Sequence, residues 1–220
     1  MNIIQKKQQL FFIRHGKLRL PYKDHSKMPF SVIADLANSK MSPSIDRDYI
    51  IKAIKRLSDT IPLDAIQYIY ASPARRCQET ARFVREFVKK KYGRAIRVKT
   101  EPLLREIKFD LRNLYQQDDK TRLDLQDINR AVLKAIADKN KNIESAERSY
   151  KRIHAFLKKI ESISSLCISH DFFMRVCEIY IKNKGKPKQH FTVNELENTH
   201  RNLYLHGFAT DLQFNLFSLL

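Results

Sequence analysis

Short apolar runs that stop abruptly at polar words constrain this chain more than any single residue does. Leu10-Phe11-Phe12-Ile13 is ended by Arg14-His15-Gly16, Ala65 to Ala71 by Ser72-Pro73, and Leu166-Cys167-Ile168-Ser169 by His170-Asp171. Runs of this length, closed by residues that start turns or helices, read as strands. Ile96 to Thr100 reads as another short strand, and the segments 202–208 and 212–217 as two final ones. Between the strands the spacing turns helical. Ile50, Ile54, Leu57 and Ile61 form a stripe that Pro62 ends, and Cys77, Ala81, Val84 and Val88 form another that Tyr92-Gly93 closes. For the latter helix Ser72 is the expected N-cap and Pro73 the expected first helical residue. Ala146, Tyr150, Ile153, Leu157 and Ile160 mark a third helix, and Phe173, Val176, Cys177 and Tyr180 a fourth, opened by His170-Asp171.

Strands alternating with helices predict an α/β fold, a three-layer sandwich with a largely parallel central sheet flanked by helices. A length of 220 residues suits one such domain, residues 1–220. Lys17 to Ser44, with Pro21, Pro29 and Pro43, reads as loop with a short helix about Phe30 to Asn38. Leu103 to Asn142 is charged and helix-compatible without strong periodicity, so residues of about 105 to 145 are expected to form a helical cap or insertion.

No apolar run approaches the roughly eighteen residues of a membrane span, and Met1 to Gln9 lacks the apolar segment of a signal peptide. Cys77, Cys167 and Cys177 sit in apolar contexts, which reads as buried free thiols in a reducing compartment. The expected location is cytoplasmic. The formal charge of +18 raises the local concentration of anions without naming one. Nucleic acid, an anionic lipid surface and a phosphorylated small molecule all fit it, and so does a solubilising basic surface. Lys89-Lys90-Lys91 with Arg94 and Arg97, and Lys182, Lys184, Lys186 and Lys188, form basic runs, but aromatics are not interleaved with them in a stacking pattern. No nucleic-acid-binding motif accompanies them.

In open α/β sheets, ligands bind beyond the carboxyl ends of the strands. The clusters at 14–16, 72–76 and 169–171 are therefore expected to converge. Together they offer Arg14, Arg76, His15, His170 and two helix N-termini, a set suited to an anion. Cationic neighbours disfavour protonation of a histidine and leave a ring nitrogen free to attack phosphorus. On a regular strand Arg14 and His15 would point to opposite faces, so the chain must already be turning there, with Gly16 permitting the turn.

At these residues the sequence resembles the histidine phosphatase superfamily, the phosphoglycerate mutase-like group. The matching segments are Phe11-Phe12-Ile13-Arg14-His15-Gly16, residues 71–81 with Ser72-Pro73 and Arg76, Leu104-Arg105-Glu106-Ile107, and Ile168-Ser169-His170 through Arg175. The resemblance implies a phosphoglycerate mutase-like sandwich and a phosphohistidine mechanism. His15 would attack phosphorus, Arg14, Arg76 and His170 would bind the phosphoryl oxygens, and Glu106 would act as acid and base. It implies no metal and no cofactor. The chain departs from the family at Lys17-Leu18-Arg19-Leu20-Pro21, where mutases carry a different pattern, and at Asp171, where a glycine is usual. It also lacks the glycine- and tryptophan-containing stretch that commonly follows the acid.

The expected activity is thus hydrolysis of phosphate monoesters on a phosphorylated metabolite or phosphoprotein. Lys17, Arg19 and Lys23 are candidates for holding a second anionic group. The alternatives are a catalytically weak relative serving as a basic binding module for nucleic acid or acidic partners, and a mutase-type phosphotransferase. A Ser169-His170 turn carrying Asp171 is expected to place a carboxylate near the anion pocket unless Asp171 caps the following helix.

Overall fold

A computed structural model describes residues 9–22, 28–37, 40–114, 125–160, 164–188, 190–199, 204–211 and 215–219. The apolar runs become the strands β1 (Gln9–Arg14), β2 (Tyr68–Ala71), β3 (Arg97–Thr100) and β4 (Ser165–Ser169), joined late in the chain by β5 (Gly207–Asp211) and β6 (Leu216–Leu219). The helices are α1 (Phe30–Ala37), α2 (Arg47–Thr60), α3 (Arg75–Tyr92), α4 (Leu111–Leu114), α5 (Leu125–Ala137), α6 (Ala146–Lys159), α7 (Asp171–Lys182) and α8 (Val193–Glu197).

The strands form one sheet in the order β3-β2-β4-β1-β5-β6. β3, β2, β4 and β1 run parallel, while β5 and β6 are antiparallel additions at one edge. Strands buried on both faces need apolar residues at successive positions, and the continuous runs at 10–13 and 166–168 supply them. Alternate side chains feed two cores. Phe11, Ile13, Ile69, Ala71, Leu166 and Ile168 pack with α2 and α3, whereas Leu10, Phe12, Tyr68, Tyr70 and Cys167 pack with α6 and α7. The sheet therefore has helices on both sides, the three-layer arrangement expected from the alternation.

Some boundaries moved for identifiable reasons. β2 begins at Tyr68 rather than Ala65, because the Ala65 amide donates to the Pro62 carbonyl (2.9 Å) in a turn. β5 begins at Gly207; Asn202 lies outside the described residues, and Tyr204 and Leu205 form a turn. β6 covers 216–219, and residues 212–214 lie outside the described residues. α3 starts at Arg75 with Ala74 as its N-cap, so Ser72 is not the cap and Pro73 is not helical. α8 was not anticipated, although Thr192 and Glu195 form a capping box whose Thr-x-x-Glu spacing is legible in the sequence.

The basic runs are engaged locally. Lys89, Lys90 and Lys91 lie in the last turn of α3, where cations offset the helix dipole. Arg94 donates to the carbonyls of Asp64 and Ile66, Lys182 pairs with Glu178, and Lys188 with Glu195.

Residues 101–114 and 125–145, between β3 and α6, carry α4 and α5. A buried ion pair ties the two ends of this segment to α6. Arg152 Nε donates to Glu144 Oε1 at 2.7 Å, with side-chain exposures of 6% and 1%. Arg152 Nη1 also donates to the carbonyls of Leu103 (2.9 Å) and Arg105 (2.8 Å). Glu144 in turn accepts from the Lys108 amide and the Ser149 hydroxyl. Removing one partner of such a pair strands a buried charge, costing about 3–5 kcal/mol, whereas a surface pair is worth about 0–1 kcal/mol. Arg152→Met is therefore expected to lower Tm by roughly 10 °C. Arg82→Met, which breaks the exposed Arg82–Glu86 pair, should shift it by about 2 °C or less. Thermal melts of the two variants check this ordering.

Candidate active site

Sheet register puts the reactive residues side by side. β1 pairs with β4 so that Arg14 lies opposite Ser169, and β2 pairs with β4 so that Ala71 lies opposite Ile168. The next residues out, His15, Ser72 and His170, therefore emerge along one carboxyl edge. The His15 amide continues the ladder by donating to the Ser169 carbonyl (3.1 Å), and the Ser72 amide donates to that of Ile168 (3.0 Å).

At this edge the rings of His15 and His170 meet edge to face, centroids 5.4 Å apart. Arg76 donates to His170 Nδ1 from Nη2 (3.0 Å) and Nε (3.3 Å). Both guanidinium atoms can only donate, so Nδ1 accepts and the His170 proton sits on Nε2, from which it reaches Ser72 Oγ at 2.9 Å. Ser72, set aside as a helix cap, is thus the partner that sets the His170 tautomer. His15 has the opposite arrangement. Its Nδ1 lies 2.8 Å from the Gly16 carbonyl, an acceptor only, which assigns the proton to Nδ1 and leaves Nε2 with its lone pair.

Burial keeps both imidazoles neutral. His15 is 5% exposed and His170 1%. Burial foremost, then the charges of Arg14 and Arg76, hold His15 well below its ordinary value, against a small opposing effect of the Gly16 carbonyl. His170 is depressed by burial first and by Arg76 next. Cys77 packs 3.5 Å from His170 Nε2, and burial pushes its thiol up to about 12, so it stays protonated.

Arg14 lies over the ring of Tyr204 (4.6 Å to the centroid), which also sits 5.8 Å from the His15 ring. Nothing in the sequence signalled Tyr204; it reaches the site because antiparallel β5 returns beside β1. Gly16 serves close packing rather than a left-handed turn. A Cβ there would stand 2.8 Å from Ile50 Cδ1 and 3.4 Å from Thr80 Oγ1, and the Gly16 amide donates to that hydroxyl at 2.9 Å.

Asp171 does not cap α7. Its carboxylate bridges Arg175 (3.1 Å) and Arg14 (3.8 Å), which offsets its negative charge beside the anion pocket. The capping task falls to Glu106, whose Oε1 accepts from the amides of Phe173 and Ile107, both at 2.9 Å. Two amides on one oxygen leave Oε2 as the place for a proton. Burial pushes Glu106 up to about 7, outweighing those two amides, with Asp171 adding to the rise. The segment carrying Glu106 is held by the Arg152 contacts and by Ser169 Oγ, which donates to the Leu104 carbonyl at 2.7 Å.

The N-termini of α3 and α7 both open at this edge without a cap from their own N-cap side chains. Ser72, Arg76, Glu106 and His170 line a cleft of about 1080 Å³ that residues 105–110 and 141–144 also line. His15 and Arg14 do not line this cleft; His15 stands behind its wall, against the ring of His170. Together the cleft and this adjoining pair offer an unprotonated imidazole, arginines suited to oxyanions, helix ends that favour negative charge, and a carboxyl that exchanges a proton near neutrality. Of the residues proposed for a second anion, Lys17 stands over the Tyr49 ring and Lys23 lies outside the described residues; neither Lys17 nor Arg19 lines the cleft.

The fold has known counterparts. It superposes on a mycobacterial glucosyl-3-phosphoglycerate phosphatase with a TM-score of 0.58 at 13% identity, covering 96% of this chain and 97% of that one. A putative alpha-ribazole-5'-P phosphatase from Escherichia coli gives 0.57 at 18% identity, covering 96% and 94%. The open reading frame Rv3214 product from Mycobacterium tuberculosis gives 0.57 at 14% identity, covering 97% and 95%. No curated protein sequence matches the chain significantly. The model of one family matches residues 47–207, from the start of α2 to that of β5, a span that begins after Arg14-His15-Gly16. With that match over most of its length, the chain belongs to the histidine phosphatase superfamily, branch 1.

Proposed function

We propose that this protein hydrolyses phosphate monoesters through a phosphoryl group carried transiently on His15, with side-chain cations rather than a metal ion holding the phosphate. The observation that carries this reading is the environment of His15: Nδ1 tied to the Gly16 carbonyl, which leaves Nε2 the lone pair, and Arg14 and Arg76 near enough to disfavour protonation. In the first step Nε2 attacks phosphorus as the ester P–O bond breaks. Glu106 Oε2 gives its proton to the departing oxygen. In the second step the Glu106 carboxylate takes a proton from water as that water attacks phosphorus, the N–P bond breaks, and His15 returns to its starting state.

Arg14 and Arg76 neutralise the phosphoryl oxygens. His170 is held by Ser72 at Nε2 and by Arg76 at Nδ1. For His170 to donate from Nδ1 to the phosphate, Arg76 must turn from Nδ1 to the phosphoryl oxygens, and the dianion must offset burial as well as the Arg76 charge for that nitrogen to take up a proton. Hydrolysis rather than transfer to a second substrate is supported by Lys17-Leu18-Arg19-Leu20-Pro21 in place of the mutase pattern. Two structural neighbours, a glucosyl-3-phosphoglycerate phosphatase and a putative alpha-ribazole-5'-P phosphatase, agree with this reading.

His15→Ala should lower kcat on an aryl phosphate by at least about a thousandfold, with Tm within a few degrees of the parent. Equal phosphate release by the two proteins would refute the proposal.

The pH dependence has a definite sign. Glu106 must be protonated to serve the leaving group, a form present below its value of about 7 and lost as pH rises through it. His15 must be unprotonated, a form lost only as pH falls through its depressed value. On an alkyl phosphate, kcat/KM is therefore expected to fall on the alkaline side with a midpoint about 7. Glu106→Gln should flatten that limb and reduce kcat by about 10²–10⁴-fold, with a smaller loss on an aryl phosphate, whose leaving group needs little protonation. An alkaline limb unchanged in Glu106→Gln would remove Glu106 from the proton transfers.

A further inference from the structure

The cleft is larger than a phosphate needs, and its wall is unbalanced in charge. Among its lining residues eight are lysine or arginine and three are acidic. The acids are largely committed. Glu106 is tied to backbone amides, and Glu144 is neutralised by Arg152. Three of the cations are committed too: Arg76 to His170, Arg75 to Glu79 and Ser44, and Arg112 to Asp35.

What remains lies after α1, between β3 and α6, and in the first turn of α6. Lys40, Lys108, Lys141 and Arg148 line the cleft with no acidic partner among the described residues. Arg105 reaches Glu144 only at 3.8 Å and keeps a buried Nε with no hydrogen-bond partner. These cations come from separate segments: after α1, beside Glu106, after α5 and from the first turn of α6. Each reaches the same hollow. Lys40, Lys108, Lys141 and Arg148 are exposed, but like charges gathered around one hollow repel one another, and a bound anion relieves that cost. The arrangement is concave rather than a flat stripe, which favours a small polyanion over a nucleic-acid backbone.

We infer that the outer part of this cleft, formed by Arg105, Lys108, Lys141 and Arg148, binds a second phosphoryl group of the substrate, so that the preferred substrates are small molecules bearing two or more phosphates. The inference rests on the phosphatase reading for which phosphate is cleaved, but the second site itself is a matter of binding. It moves the second-anion site from Lys17, Arg19 and Lys23 to the segment between β3 and α6 and the first turn of α6.

The test is calorimetric binding to His15→Ala, which holds ligand without turnover, using glucose 6-phosphate and glucose 1,6-bisphosphate as probes. Charge-assisted hydrogen bonds to a second phosphate are expected to make the bisphosphate bind at least about tenfold more tightly. That advantage should shrink with added salt. In the further double variant Lys141→Gln/Arg148→Gln, the two probes should bind within about threefold of each other. Lys108→Gln, elsewhere on the wall, should reduce the advantage in the same direction should the double variant fold poorly. Equal affinities in the His15→Ala background, or an advantage that survives these substitutions, would overturn the inference. Turnover of the monophosphate by the parent protein reports separately on the phosphatase assignment.

Discussion

The parallel pairing of β1, β4 and β2 is the constraint on which the site depends. Arg14 opposite Ser169 and Ala71 opposite Ile168 bring three distant segments out along one edge. A slip of one residue in either pair would turn a whole set of side chains to the other face of the sheet, exchanging the two cores and separating the histidines. The register is held by burial on both faces: Phe11 and Ile13 belong to one core, Leu10 and Phe12 to the other, and none can be exposed cheaply. The apolar residues that close the sandwich therefore also aim the polar ones.

A site of this kind has an electrostatic cost that the fold meets in several places. Asp171 sits between Arg14 and Arg175, so a carboxylate that would repel a phosphate is spent on two guanidiniums. Burial beside arginines keeps His15 and His170 uncharged, which avoids a cluster of four positive groups before an anion arrives. Glu106 has the converse problem, a carboxyl enclosed by protein. Two amides hold one of its oxygens without returning it to the ordinary carboxylate range. The ion pair of Arg152 and Glu144 then serves the acid segment at a distance, because Arg152 also holds the carbonyls of Leu103 and Arg105, the latter next to Glu106.

Legibility in the sequence followed the range of the interactions. Strands β1 and β4 and helices α2, α3, α6 and α7 were readable because apolar periodicity is local and strong there. The convergence of Arg14, His15, Arg76 and His170 followed from placing each at a strand end, a rule about topology that needs no coordinates. Ser72 was placed correctly in the chain but assigned a local duty, when its hydroxyl is used by a histidine 98 positions away. Tyr204, Arg152 and Glu144 gave no signal, since their significance lies in contacts between remote segments. The start of β5 was missed for a similar reason: its pairing with β1 decides it, not its own composition.

The central claim is that His15 carries the phosphoryl group. The most direct measurement is mass spectrometry after rapid quench at alkaline pH, where phosphohistidine survives, of the protein mixed with excess phosphate monoester. The account predicts a peptide containing His15 heavier by one phosphoryl group, formed within a turnover and lost on acidification. Turnover with no phosphorylated His15 peptide at any quench time, or with the phosphoryl group on another residue, would contradict it.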